Sequence, residues 1–248
     1  MGHKHSHSGD GKLGIAVFIN ILLTIAQIVG GLLSGSLSLI ADALHNLSDA
    51  GAILIAIFAR RIGNRTANKT MTYGYKRAEI IGALINSTSL IIVGIYLIYE
   101  AVGKFFNPTP IDGWIVFWIA GIALVVDVAT AVITYSAGAK DNMNIKVAFI
   151  HNISDAMASI VVIIAGLLII NFQLYIFDVI ATVGISIYVI YHGIVLLQKC
   201  IMRIMQAVPD SVNIEELQSV LEKIDGIKSA KHIHVWQLDD KKSIWRHI

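Results

Sequence analysis

Charged residues are scarce in this chain. Asp, Glu, Lys and Arg make up 15% of its 248 positions, where a soluble domain carries about 25%. That shortage excludes an ordinary water-soluble globule. Cysteine is nearly missing as well: Cys200 stands alone, which excludes an internal disulfide framework and any cysteine-based metal site. At the end of an apolar block it reads as a small apolar filler. No His-Glu-x-x-His stretch occurs, so the usual sequence basis for a zinc protease is absent. No cleavage site follows the first apolar block, which is therefore expected to stay as an anchor rather than be removed as a signal peptide. The net charge is only +2, and no nucleic-acid partner is expected.

What the chain does have is apolar sequence, at 56% of its residues. It is gathered into six blocks, each near the roughly 20 residues that a helix needs to cross a bilayer. They run Gly14–Leu33, Leu37–Ala59, Ile80–Tyr99, Trp114–Tyr135, Val147–Ile170 and Leu174–Leu197. The expected fold class is an all-α membrane protein of six transmembrane helices with inverted-repeat character, plus a short, truncated α+β segment at the C-terminus. Basic residues fall on alternate connections. Arg60, Arg61, Arg65, Lys69, Lys76 and Arg77 lie between spans two and three, Lys140 and Lys146 between four and five, and Lys199 and Arg203 after six. The opposite connections hold Lys104 alone. By the positive-inside rule both termini are expected in the cytoplasm, with the protein multi-pass in a bacterial inner (cell) membrane.

Three regions follow: a His-bearing cytoplasmic tail over 1–12, the transmembrane domain over 13–205 and a partial cytoplasmic domain over 206–248. In the last, Val208-Pro209-Asp210 breaks the preceding helix, and Ile214–Ile224 carries apolar residues at helical spacing up to Gly226. Lys231–Leu238 alternates like a half-buried strand. We expect a βαβ-type domain cut short at Ile248, before it can bury a core of its own.

One segment occurs twice. His45-Asn46-Leu47-Ser48-Asp49-Ala50 on span two and His151-Asn152-Ile153-Ser154-Asp155-Ala156 on span five differ at a single position. The two spans cross in opposite directions, and polar inverted repeats near the midplane are a recurring feature of secondary transporters. Residues i and i+4 share a helix face, so each copy places a His beside an Asp. Ionisable groups at that depth cost about 2.5–3.5 kcal/mol or more unless they are paired or solvated. If the two helices face each other, two imidazoles and two carboxylates form an N2O2 shell suited to tetrahedral Zn2+. Ordinary hydrogen bonding between packed helices is the plainer alternative.

Longer stretches around these copies resemble the cation diffusion facilitator family of zinc-type cation/proton antiporters. They are Ser38–Asp49 on span two, Tyr73-Gly74-Tyr75-Lys76-Arg77-Ala78-Glu79 before span three, Asn144–Asp155 on span five and His232-Ile233-His234-Val235-Trp236 near the end. The resemblance runs from about residue 13 to 238. It implies that His45, Asp49, His151 and Asp155 are the metal ligands, that the transported substrate is Zn2+ with Co2+, Ni2+ or Cd2+ as further candidates, and that inward H+ flow drives export. No bound cofactor is implied, and no enzyme activity. It also implies a homodimer, an expectation that the short C-terminus weakens.

Three further residues are candidates for accessory roles. Asp42 lies one turn before His45 and could be an acceptor behind the ligands, a proton relay on the exit path or a solvated residue of an outer vestibule. Asp127 lies within span four, where a carboxylate suggests function, with a hydrogen bond from Asn20, Gln27 or Asn86 as the plainer reading. His232 matches a ligand of the family's cytoplasmic domain, whose other ligands would lie beyond Ile248. His3, His5 and His7 could collect metal at the cytoplasmic mouth. Two competing functions are a truncated, inactive subunit or scaffold of the same family and, further off, an intramembrane metalloenzyme.

Overall fold

A computed structural model describes residues 8–136, 143–209, 211–239 and 242–246, with side chains over 19–136, 149–209 and 211–238. His3, His5, His7 and Lys140 lie outside the described residues. The order is α1 (Ser8–Ser34), α2 (Leu37–Gly63), α3 (Ala78–Phe106), α4 (Gly113–Ser136), α5 (Met143–Phe172), α6 (Ile176–Ile204), α7 (Ile214–Glu222), β1 (His234–Asp239) and β2 (Lys242–Arg246). Among the described residues, α2 to α6 are long and apolar enough to cross a membrane. Helix α1 has 27 residues, of which Ile19–Ser34 form a shorter apolar stretch. The fold is an all-α membrane architecture with a small strand pair at the C-terminal end.

Several helices outrun their apolar blocks. Helix α3 continues through Glu100 and Lys104 to Phe106, and α6 through Lys199 and Arg203 to Ile204. Hydropathy marks the part of a helix that suits lipid. The backbone ladder itself runs on wherever no breaker or cap stops it.

The described chain divides into two compact units. One comprises the residues up to Ala50 together with Leu90–Tyr191, and the other Gly51–Ser89 with His192 onward. The core of the first contains Leu39, Leu97, Val116, Ala120, Val162, Ile169, Ile185 and Val189. Its tightest packing joins α4 to α5. The buried residues of α4 form one stripe at spacings of three and four: Gly113, Val116, Ala120, Ala123, Asp127 and Ala131. Lipid tails are as apolar as leucine, so membrane helices associate through close packing of small residues. A Cβ on Gly113 would lie 2.9 Å from the Gly166 carbonyl oxygen, and one on Gly166 would lie 3.2 Å from the Phe117 nitrogen. These glycines let the two backbones meet.

The start of α2 is held by a residue from α6. Asp178 is fully buried and accepts four hydrogen bonds: from Ser36 Oγ at 2.6 Å, Leu37 N at 2.9 Å, Ser38 N at 3.2 Å and Ser38 Oγ at 2.6 Å. An anion at a helix N-terminus satisfies N–H groups that have no intrahelical partner and also meets the positive end of the helix dipole. Nearby, Lys104 Nζ donates to the Gly35 carbonyl, and Asp112 N donates to Ser34 O at 3.0 Å. The Asp112 side chain in turn caps α4, accepting from Trp114 N at 3.0 Å.

In the second unit, a Cβ on Gly82 of α3 would meet Ile55 of α2 at 2.6 Å, another close helix approach. Helix α7 begins on Asn213, whose side chain accepts from Glu215 N and Glu216 N. Among the described residues of the C-terminal segment, the helix comes before both strands, and β1 and β2 form an antiparallel pair with a register shift between Gln237 and Asp239. Only two residues separate β1 from β2, where a parallel crossover needs about a dozen.

Candidate metal site

The repeated segments meet within the first unit. Each copy sits where its helix supplies one His and one Asp a turn apart, and the four side chains alternate around a closed ring. His45 Nε2 lies 3.8 Å from Asp49 Oδ2 on its own helix and 3.3 Å from Asp155 Oδ1 across on α5. His151 Nε2 lies 3.6 Å from Asp155 Oδ2 and 3.2 Å from Asp49 Oδ2. In a tetrahedron with ligands near 2.05 Å from the ion, neighbouring ligand atoms stand about 3.3 Å apart. The four N···O separations cluster around that edge length. One donor atom each from His45, Asp49 and Asp155 lies within 4.8 Å of the others, a set that His151, which reaches only the two carboxylates, does not join.

Hydrogen bonding does not account for the buried half of this ring. His45 Nδ1 is buried without a partner, and His45 Nε2 and Asp155 Oδ1, 3.3 Å apart, are buried with no partner beyond the ring itself. Such atoms carry a desolvation cost that a direct bond to a cation would offset. Two carboxylates and two neutral imidazoles carry a charge of −2, equal and opposite to that of a dication. The set contains no thiolate, so its chemistry is that of a borderline cation such as Zn2+. The ring presents two imidazole nitrogens and two carboxylates.

Access is lopsided. The side chains of His45 and Asp155 are 7% and 12% exposed, those of Asp49 and His151 31% and 43%. Asp49 is a turn nearer the C-terminal end of α2, and His151 a turn nearer the N-terminal end of α5. The more open pair therefore faces one end of the two antiparallel helices, and the closed pair faces the other.

Around the ring, the repeated Asn residues serve a purpose that the motif alone did not reveal. Asn46 donates Nδ2 to Gln27 Oε1 on α1 at 3.0 Å, and Asn152 donates Nδ2 to Thr134 Oγ1 on α4 at 3.1 Å. Each helix of the ring is thus tied to the helix preceding it, once in each half of the chain. Tyr188 of α6 adds an edge-on ring contact to His45, with centroids 5.9 Å apart at 84°. A cleft of about 570 Å3 between α5 and α6 reaches His45 and Tyr188, but Met157, Val161, Ile164 and Ile180 give it a wall without cation ligands.

The accessory candidates separate. Asp42 is 1% exposed, which overturns the reading of a solvated vestibule residue. Its Oδ2 accepts from Gln27 Nε2 at 2.6 Å, so Gln27 bridges Asp42 and Asn46. Asp127 is buried on the face of α4 that meets α5, and its Oδ2 accepts from Ser159 Oγ at 2.9 Å. Its partner is thus Ser159, and Gln27 is engaged elsewhere. His232 belongs to the second unit, where it is exposed in a bend at φ 53° just before β1, outside the unit that contains the four.

The family described as the cation efflux transmembrane domain matches residues 13–205. The cadmium, cobalt and zinc/H(+)-K(+) antiporter of Bacillus subtilis (strain 168) is 35% identical over 240 residues, covering 96% of this chain and 77% of that protein. The metal cation efflux system protein CzcD of Cupriavidus metallidurans is 34% identical over 251 residues, with 100% and 79% covered. The zinc transporter ZitB of Pectobacterium atrosepticum is 31% identical over 251 residues, with 100% and 78% covered.

Proposed function

The chain belongs to the cation efflux family, the cation diffusion facilitators that its motifs resemble, and from that premise we propose that His45, Asp49, His151 and Asp155 carry Zn2+ across the membrane in exchange for protons. It is a transporter of divalent metal cations and not an enzyme; its relatives are named as zinc, cadmium and cobalt transporters and antiporters. The observation that carries the site assignment is the closed His–Asp ring, whose buried side has no polar partner outside the ring.

The exchange follows from the ligands themselves. Metal binding needs neutral imidazole and ionised carboxylate, so protons and the cation compete for the same atoms. Imidazole changes charge near neutral pH, which lets proton arrival from an acidic side displace the ion. Basic residues on the α2–α3 connection and after α6 support a cytoplasmic location for both termini, in the cell membrane. On that topology the exposed pair, Asp49 and His151, faces the cytoplasm. Residues 206–248 lie on the cytoplasmic side, and the working unit is a homodimer, as the family resemblance implies. Asp42 and Asp127 act from behind the ligands, through Gln27 and Ser159, rather than as ligands.

Proteoliposomes test this. Zn2+ uptake should be accompanied by a rise in lumenal pH as protons leave, and His151→Ala should abolish both. Zn2+ flux that leaves lumenal pH unchanged refutes the exchange.

A further inference from the structure

The half of the site that faces away from the cytoplasmic end is sealed along the first turns of α2 and the residue that precedes them. Ser36, Ser38, Leu39, Ala41, Asp42 and Ala43 are each at most 1% exposed. The cleft that reaches His45 between α5 and α6 has an apolar wall, and a cation that arrives at Asp49 and His151 from the open end and leaves by the other runs beside this stretch. The sealed stretch is fastened to α6 at its start by the four hydrogen bonds to Asp178, and α6 touches α2 again ten residues later, at His45, through Tyr188. The two helices run in the same direction, so these contacts lie about 15 Å apart along α6.

We propose that Asp178 is a latch. With its four donors engaged it holds α2 against α6 and keeps the far-side route to His45 and Asp155 closed, and its release is the step that opens that route. Three features single it out. The carboxylate is 0% exposed, so water cannot stand in for a lost donor while the latch is shut. All four donors come from residues 36–38, so they let go together when α2 shifts. Charge-assisted bonds of this kind are short and strong, yet both sides can be rehydrated once exposed, which suits an element with two arrangements. Asp178 touches neither the cation nor its ligands; it is a positioning residue that acts through α2.

The inference rests on the transport reading for its purpose, but its test needs no metal, so the two can fail separately. In a Cys200→Ser background, Leu39→Cys places a single thiol within the sealed stretch. A membrane-impermeant maleimide is added to oriented vesicles from either face, with and without Asp178→Asn. The latch predicts that labelling from the far face rises by roughly tenfold or more on losing the charged acceptor, while labelling from the cytoplasmic face does not change. Ser36→Ala/Ser38→Ala, which removes the two hydroxyl donors and leaves the carboxylate, should raise far-face labelling in the same direction and serves if Asp178→Asn fails to fold. Labelling that stays at the parent level in whichever variant folds overturns the proposal. So does labelling that rises equally from both faces, since that marks a general loosening of the bundle.

Discussion

Replacing Gln27 with leucine should destabilise the chain through two buried partners at once. Gln27 is itself 0% exposed and spans from Asp42 Oδ2 at 2.6 Å to Asn46 Nδ2 at 3.0 Å. Leucine matches its size and removes both bonds. A hydrogen bond to a charged acceptor contributes about 1.5–3 kcal/mol and one between neutral groups about 0.5–1.5, which together come to roughly 2–4.5 kcal/mol. Interhelical bonds measured in a bilayer average only about 0.6 kcal/mol, with a maximum near 1.7, because freed groups find other partners. Asp42 and Asn46 are 1% and 4% exposed, so replacements are hard to reach, and the loss should fall near the upper end of the membrane range for each bond, about 2–3 kcal/mol in total. Reversible unfolding in mixed detergent micelles measures it. The double variant Gln27→Leu/Asn46→Ala should lose less than the sum of the single losses, since one bond is counted twice. A loss under about 0.5 kcal/mol, or strict additivity in the cycle, refutes the bridge.

Two further perturbations address other parts of the structure. Gly113→Val places a branched side chain against the Gly166 carbonyl, where even a single Cβ would stand at 2.9 Å. It should force α4 and α5 apart and cost about 1–3 kcal/mol in the same unfolding assay, whereas a loss within 0.5 kcal/mol would show that these backbones are not in close contact. Outside the membrane, Glu222 accepts from the Gln218 side chain and the Ala230 backbone N–H, and these bonds hold its carboxyl below the ordinary value of 4.5. A depressed folded value means that the contact's stabilisation is complete above 4.5 and fades as pH falls through the lowered value. The Ala230 amide proton shift should report that titration, with a midpoint below 4.5, and a midpoint at or above it would dismiss the contact.

The pairing of His with Asp on each helix was legible in the sequence because two rules act there together. Helical spacing puts His45 beside Asp49 and His151 beside Asp155, and ionisable groups in apolar helices are expensive enough to stand out. The supporting residues were not legible, for a different reason. Gln27, Thr134 and Ser159 are uncharged and common in membrane helices, and what makes them important is which helix lies opposite. That neighbourhood depends on the close approaches at residues such as Gly113 and Gly166, which spacing within one helix does not reveal. Asp178 escaped notice because an acid at the start of a helix is ordinary capping chemistry. Only the fold shows that the N-terminus it caps belongs to α2, not to its own helix. The membrane-spanning fold was plain from composition. The β1–β2 hairpin was not, because a strand so short announces its partner only once the turn has been made.

The central claim is that one ring of four side chains carries the cation, and Asp49 is its more exposed carboxylate, 3.2 Å from His151 and 3.8 Å from His45. Zn2+ uptake into proteoliposomes, wild type against Asp49→Ala, tests it most directly. The loss of an outer partner typically lowers metal affinity or activity about 10–100-fold, so the loss of a ligand should lower uptake more than about a hundredfold. The reconstituted variant should still show the wild-type elution profile. Uptake by Asp49→Ala at the wild-type rate would contradict the account.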